Sequence, residues 1–236
     1  MTDHSQNPAD IAARIRAPKP RGVLRDVVYG GIDGSVTTFA IVSGVAGAGL
    51  SPFVIIALGI ANVLADGFSM AAGNYSATKS EADNIARVRA IEARHIEKYP
   101  RGEWLEVREI LGAKGLSGDV LDRATDEITQ DRERWIDTMV EGEYGLGGAD
   151  PDPMRAAMAT FVAFLVAGMI PLMPFLFGLP DAFRLSSLLT LAVFFSIGAM
   201  KSRWSLAPWW RSGLETLLIG GTAAAIAFGV GTLFHA

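Results

Sequence analysis

Five apolar stretches constrain this chain more than any other feature. They cover roughly residues 27–48, 52–77, 154–177, 183–200 and 213–234, each close to the ~20 residues that a helix needs to cross a bilayer. None keeps the continuous polar face by which a soluble amphipathic helix meets water, which argues against a buried soluble bundle. The chain is therefore expected to be an all-α membrane protein with five transmembrane helices. The first two stretches are joined only by "GAGLSP", a tight turn that makes them antiparallel. Pro171 and Pro174 in "MIPLMPF" predict a kink near the end of the third.

Charge is segregated from these stretches. Seventeen of the 25 Asp and Glu residues, and ten of the 21 Lys and Arg residues, lie between Glu81 and Asp150. This block reads as three helices inserted between transmembrane helices two and three. The first continues from the second span to Lys98, the second covers about 103–113, and a long third covers about 120–143. Four regions follow: a disordered basic arm over 1–22, transmembrane helices one and two over 23–79, the charged helical domain over 80–150, and transmembrane helices three to five over 151–236. Arg14, Arg16, Lys19, Arg21 and Arg25 precede the first span, and Lys201, Arg203 and Arg211 follow the fourth. By the positive-inside rule, the amino terminus and the charged domain are expected to be cytoplasmic. An odd number of spans leaves His235 and Ala236 on the far side.

Cysteine is absent, so a metal would have to bind through carboxylate, imidazole, thioether or carbonyl groups. Enzymatic and nucleic-acid readings find little footing. His4, His95 and His235 are the only histidines, none lies in a nucleophile motif, and no basic stripe with aromatics or phosphate loop is present.

Two intramembrane acids stand out. Asp66 lies within an apolar run, where a carboxylate costs about 2.5–3.5 kcal/mol at mid-bilayer. Asn62, Asp66, Met70 and Asn74 recur every four residues and form one polar stripe, while Ala61, Ala65, Ser69 and Gly73 form a ridge of small residues that lets a second helix approach closely. The stripe either glues helices together or lines a hydrated path, where a thioether beside a carboxylate suits a divalent transition metal. Asp33, in "YGGIDGSVTT", is either an N-cap for a helix starting at Gly34 or a second acid on such a path, with Thr37 and Thr38 as further oxygen donors.

In the charged domain, Glu92 and His95 are three residues apart, as are Glu103 and Glu106, while Met139 and Glu143 are four apart. Each pair shares a helix face. Spacing alone leaves open a solvated charged face or a metal site built across helices.

The two long motifs "DGSVTTFAIVSGVAGAGLS" and "GIANVLADGFSMAAGNYSATKSE", with the charged insertion and double-proline segment after them, resemble the vacuolar iron transporter family over nearly the whole chain from Arg25. The resemblance implies a five-helix homodimer that exports Fe2+ or similar ions such as Mn2+, Zn2+ or Co2+ from the cytosol in exchange for protons, without a resident cofactor. It implies that Asp33 and Met70 line the pathway, with Asp66 beside them, and that Glu92, His95, Glu103, Glu106, Met139 and Glu143 bind metal in the cytoplasmic domain. His95 replaces a carboxylate of the family pattern, and Val140 stands where a second Met is common. An imidazole binds metal only when neutral, so occupancy is expected to fall as pH drops toward about 6.5. The competing reading is a membrane-anchored metal-binding or sensing protein without net transport, which would have no need of Asp33 or Asp66.

Overall fold

The computed structural model describes residues 5–17, 22–148 and 150–234, and among them all regular structure is helical. In chain order the α-helices are α1 (Pro8–Arg16), α2 (Leu24–Gly47), α3 (Pro52–Lys98), α4 (Pro100–Ala113), α5 (Gly118–Thr129), α6 (Arg132–Gly142), α7 (Pro153–Met169), α8 (Met173–Leu176), α9 (Ala182–Lys201) and α10 (Trp209–Leu233). They form two compact units, one of Gly22–Ala77 with Pro153–Ala236, the other of Met1–Arg21 with Thr78–Asp152. Helix α3 runs unbroken through the boundary at Ala77 and Thr78, because nothing between Ser80 and Lys98 interrupts it.

In the first unit, α2 packs against α7, α9 and α10. Glycines bring these helices together: a Cβ on Gly34 would sit 2.5 Å from the carbonyl oxygen of Phe164 on α7, so only Gly permits that approach. Asn62 of α3 donates to Thr37 Oγ1 at 3.3 Å, and Asn74 donates to Asp26 Oδ1 at 2.9 Å. As residue numbers rise along α3 they fall along α2, which is the antiparallel hairpin expected from the tight turn.

Among the described residues, four helices are long and apolar enough to cross a membrane: α3, α7 with its continuation to Leu176, α9 and α10. That is one fewer than the expected five. The difference is α2, whose apolar character is diluted by Asp33 and by Gly, Ser and Thr residues. Eleven of its 24 residues are buried by neighbouring helices, so much of its surface needs no lipid-compatible side chains. The kink expected at Pro171 and Pro174 is present: α7 passes into a 3-10 turn over Ile170–Leu172 before α8. Ser186 Oγ donates to the Pro171 carbonyl at 2.6 Å, satisfying a backbone acceptor at the break.

In the second unit, Val88 and Ile96 of α3 pack with Val107 and Leu111 of α4, Leu121 of α5 and Trp135, Ile136, Met139 and Val140 of α6. Two expectations change here. The long helix over 120–143 is two helices, because Asp131 adopts an extended conformation and caps α6, its carboxylate accepting from the amides of Glu133 and Arg134. The arm over 1–22 is not wholly irregular. Pro8–Arg16 is helical, with Asn7 as N-cap and Pro8 in the first turn. Residues 1–4 and 18–21, with Lys19 and Arg21, and residues 235–236 lie outside the described residues.

Candidate metal centre

Helix α3 presents Glu92 and His95 on one face, and the sharp turn at Tyr99 and Pro100 sends α4 back so that Glu103, in its first turn, meets them. One ligand atom from each of Glu92, His95 and Glu103 lies within 4.8 Å of the others. His95 Nδ1 is 3.5 Å from Glu103 Oε1 and 4.0 Å from Glu92 Oε1. A first-row ion with bonds of about 2.0–2.2 Å holds ligand atoms up to about 4.4 Å apart, so small side-chain shifts would close this set around one ion.

The electrostatics are those of a site short of positive charge. Glu92 and Glu103 are almost fully buried, and Oε2 of each has no hydrogen-bond partner among the described residues. Burying a carboxylate unpaired is costly, and two facing carboxylates have only acceptors to offer. Protonating one lets the pair share that proton. Burial, reinforced by Glu106 and Glu92, accordingly pushes the Glu103 carboxyl up to about 7. The Glu143 carboxyl is also raised, first by burial and then by Glu106 and Glu92. A divalent cation could take the place of the retained proton.

Five of the six residues expected in this centre therefore interact: Glu92, His95, Glu103, Glu106 and Glu143. Glu106 and Glu143 also line one open groove of about 330 Å³ with Leu105, Glu109 and Ile110. Met139 is one turn before Glu143 but is wholly buried in the apolar core of the unit. Sequence reasoning missed Tyr144, whose hydroxyl donates to Glu92 Oε1 at 3.0 Å. Its position directly after Glu143 was the only available signal. Burial, then its bond to Glu92, pushes this phenol up to about 12.

In the first unit, Asp33, Asp66 and Met70 are all half-buried. Asp33 interacts electrostatically with Asp66. It lines a groove of about 470 Å³ with Tyr29, Ile32 and Lys201. Met70 lines a different groove of about 370 Å³ with Asp26, Ser69 and Asn74, and the two grooves share Arg25 and Tyr29. Helix α2 begins at Leu24, nine residues before Asp33, so Asp33 is not an N-cap. The polar stripe is divided. Asn74 bonds Asp26 Oδ1, Thr160 Oγ1 at 2.7 Å and the Ala156 carbonyl at 3.2 Å, which ties α2, α3 and α7 together. Thr37 is likewise engaged, donating to the Asp33 carbonyl at 2.9 Å while accepting from Asn62. Buried Asp26, also missed, lies two turns before Asp33 on the same helix face.

Helices long and apolar enough to span a bilayer define an integral membrane protein, and its carboxylate and imidazole cluster is one that could hold a metal ion. The chain belongs to the VIT family, whose family model matches residues 24–232. It is 36% identical to "Vacuolar iron transporter 1" of Eucalyptus grandis, over 88% of this chain and 85% of that protein. It is 35% identical to "Vacuolar iron transporter 1" of Arabidopsis thaliana, over 87% and 84%. With "Vacuolar iron transporter" of Toxoplasma gondii it shares 30% identity over 99% of this chain and 78% of that protein.

Proposed function

We propose that this protein moves divalent transition-metal ions, Fe2+ foremost and Mn2+ as a second cargo, out of the cytosol in exchange for protons. The observation that carries this reading is the Glu92, His95 and Glu103 cluster, with its buried unpartnered carboxylate oxygens, in a chain whose relatives are named iron transporters. Cytosolic ions are collected by Glu92, His95, Glu103, Glu106 and Glu143, with Met139 as a thioether close by. They then cross through a path that uses Asp33, Asp66 and Met70. Metal and proton compete for the same carboxylates, which supplies the chemical basis of exchange: an acid that has released its ion rebinds a proton before the next cycle.

Helix α2 is the fifth span in this reading, and the charged unit is cytoplasmic, as the basic residues flanking the spans favour. The functional assembly is a homodimer. Ala61, Ala65, Ser69 and Gly73 are all exposed along α3 in the single chain, which leaves a ridge of small residues open to a second copy.

Reconstituted proteoliposomes test the reading. With an imposed pH gradient, Fe2+ or Mn2+ uptake is expected to dissipate the gradient, and Asp33→Asn is expected to abolish flux while leaving the fold and metal binding by the charged unit intact. Metal binding without flux in the unaltered protein would reduce it to a membrane-anchored sensor.

A further inference from the structure

Glu92 is the most deeply buried acid of the metal centre, and its two oxygens have different fates. Oε1 accepts a hydrogen bond from the Tyr144 hydroxyl at 3.0 Å, whereas Oε2 has no partner among the described residues. We propose that Tyr144 is a positioning residue of the metal centre, pinning Oε1 of Glu92 so that Oε2 is held ready for the ion. The inference rests on the proposed metal centre and adds a residue that supplies no ligand atom.

The backbone explains how Tyr144 reaches that place. Helix α6 stops at Gly142, and Gly145 takes a φ of +66°, a conformation that favours Gly. The Leu146 amide closes the turn onto the Val140 carbonyl at 3.1 Å, and Leu146 itself packs against the apolar core. The turn is thus anchored on both sides of Tyr144, and the phenol is directed back to α3, 52 residues earlier in the chain. The same phenol also interacts with the Glu143 carboxyl, so it bridges an acid of α3 and the acid that caps the end of α6. A phenol suits this task. It donates one directional hydrogen bond and carries no charge to compete with a cation. Outer partners of this kind fix ligand orientation, and losing one typically weakens metal affinity 10- to 100-fold.

The test uses the full-length protein in detergent with Mn2+ as probe. Tyr144→Phe keeps the ring and removes only the donor. It is expected to weaken Mn2+ affinity by about tenfold in calorimetric titration and to change the electron paramagnetic resonance spectrum of bound Mn2+, with the metal-free melting temperature lowered by no more than the loss of one buried hydrogen bond explains. An unaltered affinity and spectrum would overturn the proposal, and so would a loss of affinity that leaves the spectrum of the bound ion unaltered. Glu92→Gln, measured alongside, separates the two levels. If it too leaves Mn2+ binding untouched, the metal centre itself is refuted; if it abolishes binding while Tyr144→Phe does nothing, only the role of Tyr144 is.

Discussion

Glu103 shows how one residue of the proposed metal centre would couple proton and metal. Its carboxyl is raised to about 7 from an ordinary value of 4.5, chiefly by burial. The folded state therefore holds a proton that the unfolded chain has already released. Glu103 thus supports folding fully below about 4.5, and its contribution is lost as pH rises through about 7. Stability of the metal-free protein, followed by thermal unfolding in the presence of a chelator, is expected to decline across that window. Glu103→Gln should flatten the decline, because the amide needs no proton. Metal binding has the opposite sign: displacing one retained proton makes apparent affinity rise up to about tenfold per pH unit until pH exceeds about 7. Calorimetry in buffers of different ionisation enthalpy should register the released proton.

At the level of elements, close packing between helices and a single capping side chain do most of the shaping. A methyl group on Gly34 would meet the backbone of α7 rather than a movable side chain. Gly34→Ala is thus expected to push α2 and α7 apart at a cost of about 1–3 kcal/mol, read as a lower melting temperature in detergent. Asp131 has the comparable role in the charged unit, where it separates α5 from α6 by capping the latter. Asp131→Ala should cost about 1 kcal/mol and weaken metal binding, because α6 leads into Glu143 and Tyr144. The exposed ion pairs of this unit, such as Arg132 with Glu97 at 2.5 Å and Arg108 with Asp122 at 2.7 Å, should matter little by comparison.

For the whole molecule, the proposed dimer makes a prediction that the composition makes easy to test. The chain contains no Cys, so a single introduced thiol reports without background. Ser69→Cys, on the exposed small-residue ridge of α3, is expected to form an intermolecular disulfide under mild oxidation in membranes, seen as a dimer band on non-reducing gels. A monomer band alone would place the interface elsewhere. The large exposed side chains of the spanning helices, among them Phe53, Phe68, Val166 and Leu218, are left to lipid or to a second copy.

Much of this architecture was written in local pattern. Apolar length marked α3, α7, α9 and α10, the prolines marked the break after Met169, and the absence of Gly and Pro from Ser80 to Lys98 marked the unbroken α3. These features depend on neighbours in sequence, so sequence alone could determine them. The carboxylate spacing picked out Glu92, His95 and Glu103 but could not separate a solvated face from a site. That distinction depends on burial, which arises only when α4 folds back against α3. The same holds for Asp131, whose cap divides an otherwise continuous helical pattern, and for Asn74, whose amide turned out to bind three helices together. It holds above all for Tyr144 and Glu92, since a hydrogen bond across 52 residues leaves no periodic trace in the chain.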